Sequence, residues 1–375
     1  LGLEIEAQIP CPSRLSVAPM MGWWALLATF VAAWSWPGEA QRAPRGATRA
    51  PAGGAGRLAP AVVLVTLFEG EYTRWRERLP LAEELPFPAG ALGIPLGWNS
   101  SLRVLGVVTG MGSKNTALSI TALGHDPRFD LSAARWVVCG IAGADPRTAT
   151  IGSAAWARYL VDGNMVQSID PREAPLGWTT GMYPPNRAEP YGAPAPSEAE
   201  RKGVVYRLSE ELVQWAFGLT SGIAPADSAE ARATRLPYAH GFPVAGRPPA
   251  VLRGDGMATD AWYHGELSTQ WARNWTAYWT SGEALFAHWA MEDVAVAAAL
   301  DRLAAAGRAT PPSEGLLVLR AMSNFVMPPP GGAPGVDPEP FLQDVAFESA
   351  WAVGSPAVLA LARRADHRDA AALAV

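Results

Sequence analysis

Three short apolar runs, each closed by glycine or an acid, constrain this chain more than any other feature. AVVLVTLF (61–68) is β-branched and lies between Pro60 and Glu69, while LRVLGVVTG (102–110) leads into the apolar-periodic MGSKNTALSITAL. The third run, ARWVVCGIAG (134–143), ends in glycines. Runs this short, without polar alternation, predict strands buried on both faces. Between the first two, EYTRWRERL sets Tyr72, Trp75 and Leu79 on one face of a helix. Strands alternating with helices, with glycine turns at the strand ends, imply an α/β fold with a largely parallel sheet.

The pattern changes after residue 150. IGSAAWARYLVDGNMVQSID (151–170) alternates as antiparallel or edge strands do, and the Pro- and Gly-rich 171–200 predicts a long loop or lid. EAERKGVVYRLSEELVQWAFGL (198–219) predicts a helix, PPAVLRGDGMATDAWYHG (248–265) strand and loop, and EGLLVLRAMSNFVMPPP (314–330) a last strand closed by prolines. The segment 341–362 predicts a closing helix. Trp271, Trp275 and Trp279 recur every fourth residue and share one helix face, which is expected to be core or subunit interface. No internal repeat is visible.

Composition sets the outer limits. The chain has 375 residues, 49% hydrophobic and 17% charged, enough for one large domain or two smaller ones. A net charge of −5 without Lys/Arg runs excludes the basic field that nucleic acid or an anionic membrane surface needs. Residues 20–40 (MMGWWALLATFVAAWSWPGEA) carry an apolar run shorter than the ~20 residues of a membrane span. They predict a secretory signal peptide (1–40), with translation starting at Met20 or Met21; an uncleaved anchor is the alternative. Residues 41–60 predict a flexible linker and 61–375 a single domain, whose apolar stretches are too short to span a membrane. Cleavage would remove Cys11 and leave Cys139 alone, so neither a disulfide nor a Cys-based metal site is expected. The expected location is secreted, in a periplasm.

One segment poses a chemical question. In LFAHWAMEDVAVAAAL (285–300), Glu292 and Asp293 interrupt a run otherwise suited to burial. Two acids in the first turn of a helix are favoured by its dipole. A buried carboxylate can instead accept hydrogen bonds from a ligand's hydroxyls.

The order of LVTLFEGE, VVTGMGSKNTA, VVCGIAGAD, ATDAWYHG, AMEDVAVA and RAMSNF resembles the nucleoside phosphorylase/nucleosidase superfamily. GSAAWARYLVDGNMVQSIDPRE (152–173) and the aromatic-rich 262–289 are similar to its purine nucleoside permease family. The resemblance covers roughly residues 60–362. It implies a three-layer α/β/α domain with a central mixed, mostly parallel twisted sheet, and cleavage of the bond between purine and ribose. It further implies Glu292 on the ribose hydroxyls, Met291 beneath the sugar, and Trp262 or Tyr263 stacked on base or ribose, with Asp260 fixing their loop and His264 able to reach the ribose 5′ end. Asn324 stands where much of the superfamily has an Asp. A carboxamide supplies no proton, but it can donate to the purine N7 and accept from the base. Arg320, four residues earlier, is its expected partner.

For the nucleophile, Thr109, Gly110 and Gly112 match the superfamily's phosphate or water loop, at a strand end where backbone N–H groups can hold an anion. Glu71 matches the glutamate that positions water in hydrolytic members. Arg74, Arg103 and Arg147 are the candidate phosphate cations, phosphate being a possible co-substrate. The resemblance implies no cofactor or metal, a purine nucleoside as partner, and a homo-oligomer. The permease name implies a second reading, a non-catalytic nucleoside-binding component of an uptake system.

Overall fold

The computed structural model describes residues 56–332 and 341–372, with side chains of the last helix as far as 364. The expected signal peptide and all but the end of the linker lie outside the described residues. From the N-terminal side come strand β1 (Val62–Thr66), helix α1 (Glu69–Arg78), β2 (Glu83–Leu85), β3 (Leu96–Asn99), β4 (Val104–Val108), α2 (Ser113–His125) and the ten-residue β5 (Arg135–Ala144). The middle holds β6 (Ala154–Trp156), β7 (Tyr159–Asp162), β8 (Gln167–Ser168), β9 (Met182–Tyr183), α3 (Glu198–Arg201), β10 (Val205–Arg207), α4 (Glu210–Thr220) and α5 (Ala229–Arg235). The last third comprises β11 (Val251–Arg253), β12 (Asp255–Ala258), α6 (Glu266–Thr280), β13 (Phe286–Ala290), α7 (Asp293–Ala305), α8 (Pro312–Gly315), β14 (Leu316–Phe325) and α9 (Gln343–Ala372).

Twelve strands join one mixed sheet, whose main path runs β10-β7-β12-β13-β5-β1-β4-β3-β2. β5 is its axis. Its first half pairs in parallel with β1, its end pairs antiparallel with β13, and β14 lies parallel along its whole length. Every position of β1, β4 and β14 is buried, which fits the largely apolar β1 and β4 and the apolar start of β14, whereas Arg320, Ser323 and Asn324 are buried polar exceptions. β6 carries β11 on the far side of β14. Helices α1, α4 and α9 pack together as one layer, where the Trp75 and Trp351 rings meet edge-on at 5.0 Å. Helices α2 and α7 pack against each other as the other layer. The fold is the three-layer α/β/α architecture with a mixed sheet.

Two sequence expectations are corrected. Residues 198–219 form not one helix but the single turn α3, the strand β10 and the helix α4. β10 pairs antiparallel with β7, so β-sheet hydrogen bonding overrides the local helical pattern there. In 151–170, β6 and β7 each have the expected antiparallel partner, β14 and β10, and a parallel one on the other side, β11 and β12. Finally, Gln343–Arg364 is long and apolar enough to cross a membrane, and 61% of its apolar window is buried inside the fold, as in a core helix. Ser349, Gly354, Ser355 and Pro356 break its apolar pattern in the sequence, which hides its length. Residues 171–200 are mostly irregular, apart from the β8–β9 hairpin and α3. The tryptophan stripe of α6 is core: Trp271, Trp275 and Trp279 pack with Val161, Met257, Phe286 and Trp289.

Candidate functional site

The site is built around a buried arginine. β14 sets Arg320 beside Gly140 of β5, and its guanidinium is almost wholly out of water. Its Nη1 donates to the Ile141 carbonyl (2.9 Å), Nη2 to Glu292 Oε2 (2.9 Å), and Nε and Nη2 both to Asp293 Oδ1 (3.0 and 2.6 Å). The two acids beside it hold Arg320 above its ordinary pKa despite burial. A buried charge needs such partners, since leaving it unpaired costs several kcal/mol.

Glu71 enters from the first turn of α1. Its Oε2 accepts from the Leu67 N–H (2.7 Å) and its Oε1 from the Ile141 N–H (2.8 Å). The Ile141 peptide therefore links Glu71 to Arg320, one group on its N–H and the other on its carbonyl. Gly140 makes this possible, because a Cβ there would lie 2.6 Å from Arg320 Nη1 and 2.8 Å from Glu71 Oε1. Burial pushes the Glu71 carboxyl up to about 7, against the pull of Arg320 and the two N–H bonds.

Glu292 bridges the arginine and the glycine turn. It lies at the N-terminus of α7, yet its side chain leaves that helix unbonded and accepts from the Gly112 N–H (3.0 Å). Burial raises this carboxyl too, opposed by Arg320. Gly112 precedes α2 at φ +85°, a conformation that L side chains rarely adopt. Asp260 holds the next residue: its Oδ1 accepts from Ser113 N (2.6 Å) and its Oδ2 from Ser113 Oγ (2.5 Å). Thr109 is buried, and its hydroxyl is shared with Thr116 (3.0 Å) and the Gly110 carbonyl (3.2 Å). The turn thus brings Gly112 to Glu292 and Asp260, whereas the Thr109 hydroxyl is spent on the start of α2.

The other expected residues take no part in this hydrogen-bond network. Asn324 is buried beside Gly143, donates to the Phe325 carbonyl and accepts from Ser323 Oγ (both 3.0 Å). Its expected pairing with Arg320 is corrected, as all the hydrogen bonds of that guanidinium go to Ile141, Glu292 and Asp293. The register of β14 slips between Met322 and Asn324, which breaks the two-residue alternation that would relate positions 320 and 324. Met291 is half-buried next to Glu292. Tyr263 packs on Trp289 (5.2 Å) and Trp271 (5.6 Å), while Trp262 is exposed and meets Phe341 edge-on (4.9 Å). Arg74 pairs with Glu348 and Asp344, Arg103 donates to the Ala59 carbonyl, and Arg147 lies 6.0 Å over Phe242. His264 is half-buried, and burial lowers its pKa.

One contributor, Gly140, escapes sequence reasoning. It looks like any strand glycine, and only the long-range approach of Glu71 and Arg320 gives it a purpose. His288 of β13 is fully buried, and burial pushes it down to about 4, so it is neutral at physiological pH. Among the described residues no group of three or more His, Cys, Asp or Glu could hold a metal ion.

A family model described as purine nucleoside permease matches residues 59–368. A purine nucleoside permease of Candida albicans is 25% identical over 275 residues, 72% of this chain and 66% of the relative. A probable purine nucleoside permease of Schizosaccharomyces pombe is 26% identical over 251 residues, 65% and 72% of the two chains. The chain thus spans 66% of the length of the Candida relative. Among solved structures, the 5'-methylthioadenosine/S-adenosylhomocysteine nucleosidase of Neisseria meningitidis, in complex with methylthio-immucillin-A, has a TM-score of 0.45 at 14% identity, covering 81% of this chain and 97% of that one. The Campylobacter jejuni nucleosidase of the same description has a TM-score of 0.47 at 15% identity, covering 82% and 100%.

Proposed function

This chain belongs to the purine nucleoside permease family, and from that premise we propose that it binds purine nucleosides and cleaves their N-glycosidic bond at the Glu71–Arg320–Glu292 cluster. One observation carries the reading. Glu292 spans the glycine turn and Arg320, while Glu71 stands across Gly140 from the same guanidinium. Breaking the bond builds positive charge on the sugar and negative charge on the departing base. Buried carboxylates beneath the sugar favour the first.

In this reading each residue takes one role. An ionised carboxylate has about four acceptor positions. Gly112 N and Arg320 Nη2 take one on each Glu292 oxygen, which leaves room for two ribose hydroxyls. Met291 lies beneath the sugar, and Tyr263 borders the base. Asn324 turns its amide to the purine, donating to N7. An oxygen nucleophile bonds to C1′ as the C1′–N9 bond breaks. The electron pair leaves with the base, which takes up one proton. When the nucleophile is water, Glu71 accepts the proton it sheds.

A second reading, nucleoside binding for uptake without turnover, is favoured by the name of the relatives and by the pairing of both Glu71 oxygens with backbone N–H groups inside the protein. Incubating the full chain with inosine, guanosine and adenosine, with and without phosphate, separates the two. Free base in any arm supports cleavage. Calorimetric binding with no base in every arm supports delivery.

Two outcomes arise directly. With Glu71 near 7, base release should rise about tenfold per pH unit below pH 7 and level off above it, because only the ionised form accepts a proton. The same shift acts on folding with opposite sense. A carboxyl raised in the folded state lends stability that is full below about pH 4.5 and lost as pH rises through 7. Relative to Glu71→Gln, the wild type should therefore lose on the order of 3 kcal/mol across that window in denaturant titrations. A difference independent of pH would mean that Glu71 is ionised throughout. Separately, Asn324→Asp should shift the preference between 6-oxo- and 6-aminopurines severalfold. An unaltered ratio of rates would remove Asn324 from base recognition.

A further inference from the structure

We infer that Asp260 fixes the identity of the nucleophile, reserving the glycine turn for water by excluding phosphate from it. This rests on the cleavage reading above. A phosphate would sit on the N–H groups that open α2, where helix termini commonly hold anions. Two N–H groups of that opening, those of Gly112 and Ser113, are already capped by the protein's own carboxylates. Gly112 N donates to Glu292 Oε1 (3.0 Å), and Ser113 donates through both N and Oγ to Asp260 (2.6 and 2.5 Å). Asp260 also flanks Gly112, where a Cβ would lie 3.3 Å from its Oδ1.

The surrounding charge points the same way. Asp162 ends β7 near Asp260, and burial first, then the charge of Asp260, holds its carboxyl above the usual range. Arg74 is paired with Glu348, and Arg320 is spent on Glu292 and Asp293. Lys114 follows the turn in sequence, but it is exposed and therefore screened by water. A dianion entering here would meet like charges on several sides, whereas water meets only acceptors. In the resulting step the water oxygen bonds to C1′, the C1′–N9 pair leaves with the base, one water proton passes to Glu71, and the base takes a proton from solvent. The products are free base and ribose.

Glu292 is needed for the sugar, so Asp260 is the residue whose charge can be changed alone. Asparagine keeps an oxygen for Ser113 and removes the charge. The test titrates inorganic phosphate calorimetrically into the full chain and into Asp260→Asn, and measures base release from inosine with and without phosphate. The wild type should show no saturable phosphate binding and the same release rate in both buffers. The variant should bind phosphate at least about tenfold more tightly than the wild type. In water enriched in oxygen-18, the label should appear at C1 of the sugar released by the wild type. Phosphate-dependent release by the wild type, or equal phosphate affinity in the two proteins, overturns the inference while cleavage stands. The wild-type arms need no variant to fold. Should neither protein release base, the cleavage reading falls, and the phosphate titration still decides whether Asp260 guards the turn.

Discussion

Replacing Arg320 with methionine should cost the fold about 3–5 kcal/mol, the largest loss expected from any single change in the cluster. Methionine fills similar volume, so the loss is electrostatic and not a cavity effect. Three carboxyl groups converge on this guanidinium or its peptide partner: Glu71, Glu292 and Asp293. Each is 4% exposed or less. Asp293 Oδ2 has no hydrogen-bond partner even with the arginine in place. Without the cation, the carboxyls either hold protons or remain buried and charged. The deficit should therefore grow with pH, because keeping protons on buried acids becomes harder as pH rises. Denaturant titrations of both proteins at pH 5 and pH 8 measure it. A deficit below about 1 kcal/mol at both values would show that the cluster is hydrated and the guanidinium dispensable.

Glu292→Ala should weaken ribonucleoside binding by roughly 10²–10⁴-fold, since two hydrogen bonds to a charged group are worth about 1.5–3 kcal/mol each. Free purine base lacks the hydroxyls that Glu292 receives, so its affinity should change little. Calorimetry with inosine and with hypoxanthine gives both numbers on one sample. The contrast matters more than either value. A merely structural Glu292, tying Gly112 to Arg320, would weaken both ligands together when removed. Equal losses would leave the residue a bracket between α2 and β14, and unchanged inosine affinity would take it out of the site.

Much of the scaffold can be read in the chain because its core strands obey a local rule. β1, β4 and β14 are buried on both faces, and nothing but apolar side chains survives there unless paired. The same rule marks Glu292 and Arg320 as exceptions needing partners. Asp293 finds its partner in Arg320. What the sequence hides is decided at long range. The bulge in β14 parts Asn324 from Arg320, although they stand four residues apart, and no residue preference announces it. Gly140 becomes necessary only when Glu71, 69 positions away, arrives beside it. Val205–Arg207 reads as part of a helix until β7 offers backbone partners. The closing helix hides its length because serines, a glycine and a proline break the apolar run, and burial against β5 and β14 overrides that local preference.

The cleavage reading and the uptake reading part at a single point, whether the C1′–N9 bond breaks. Inosine incubated with the full chain in phosphate-free buffer, with hypoxanthine and ribose separated and quantified over time, measures this directly. Steady release by the wild type, abolished in Glu71→Gln while that variant still binds inosine, is the expected result. Inosine held by the wild type and recovered intact would contradict it.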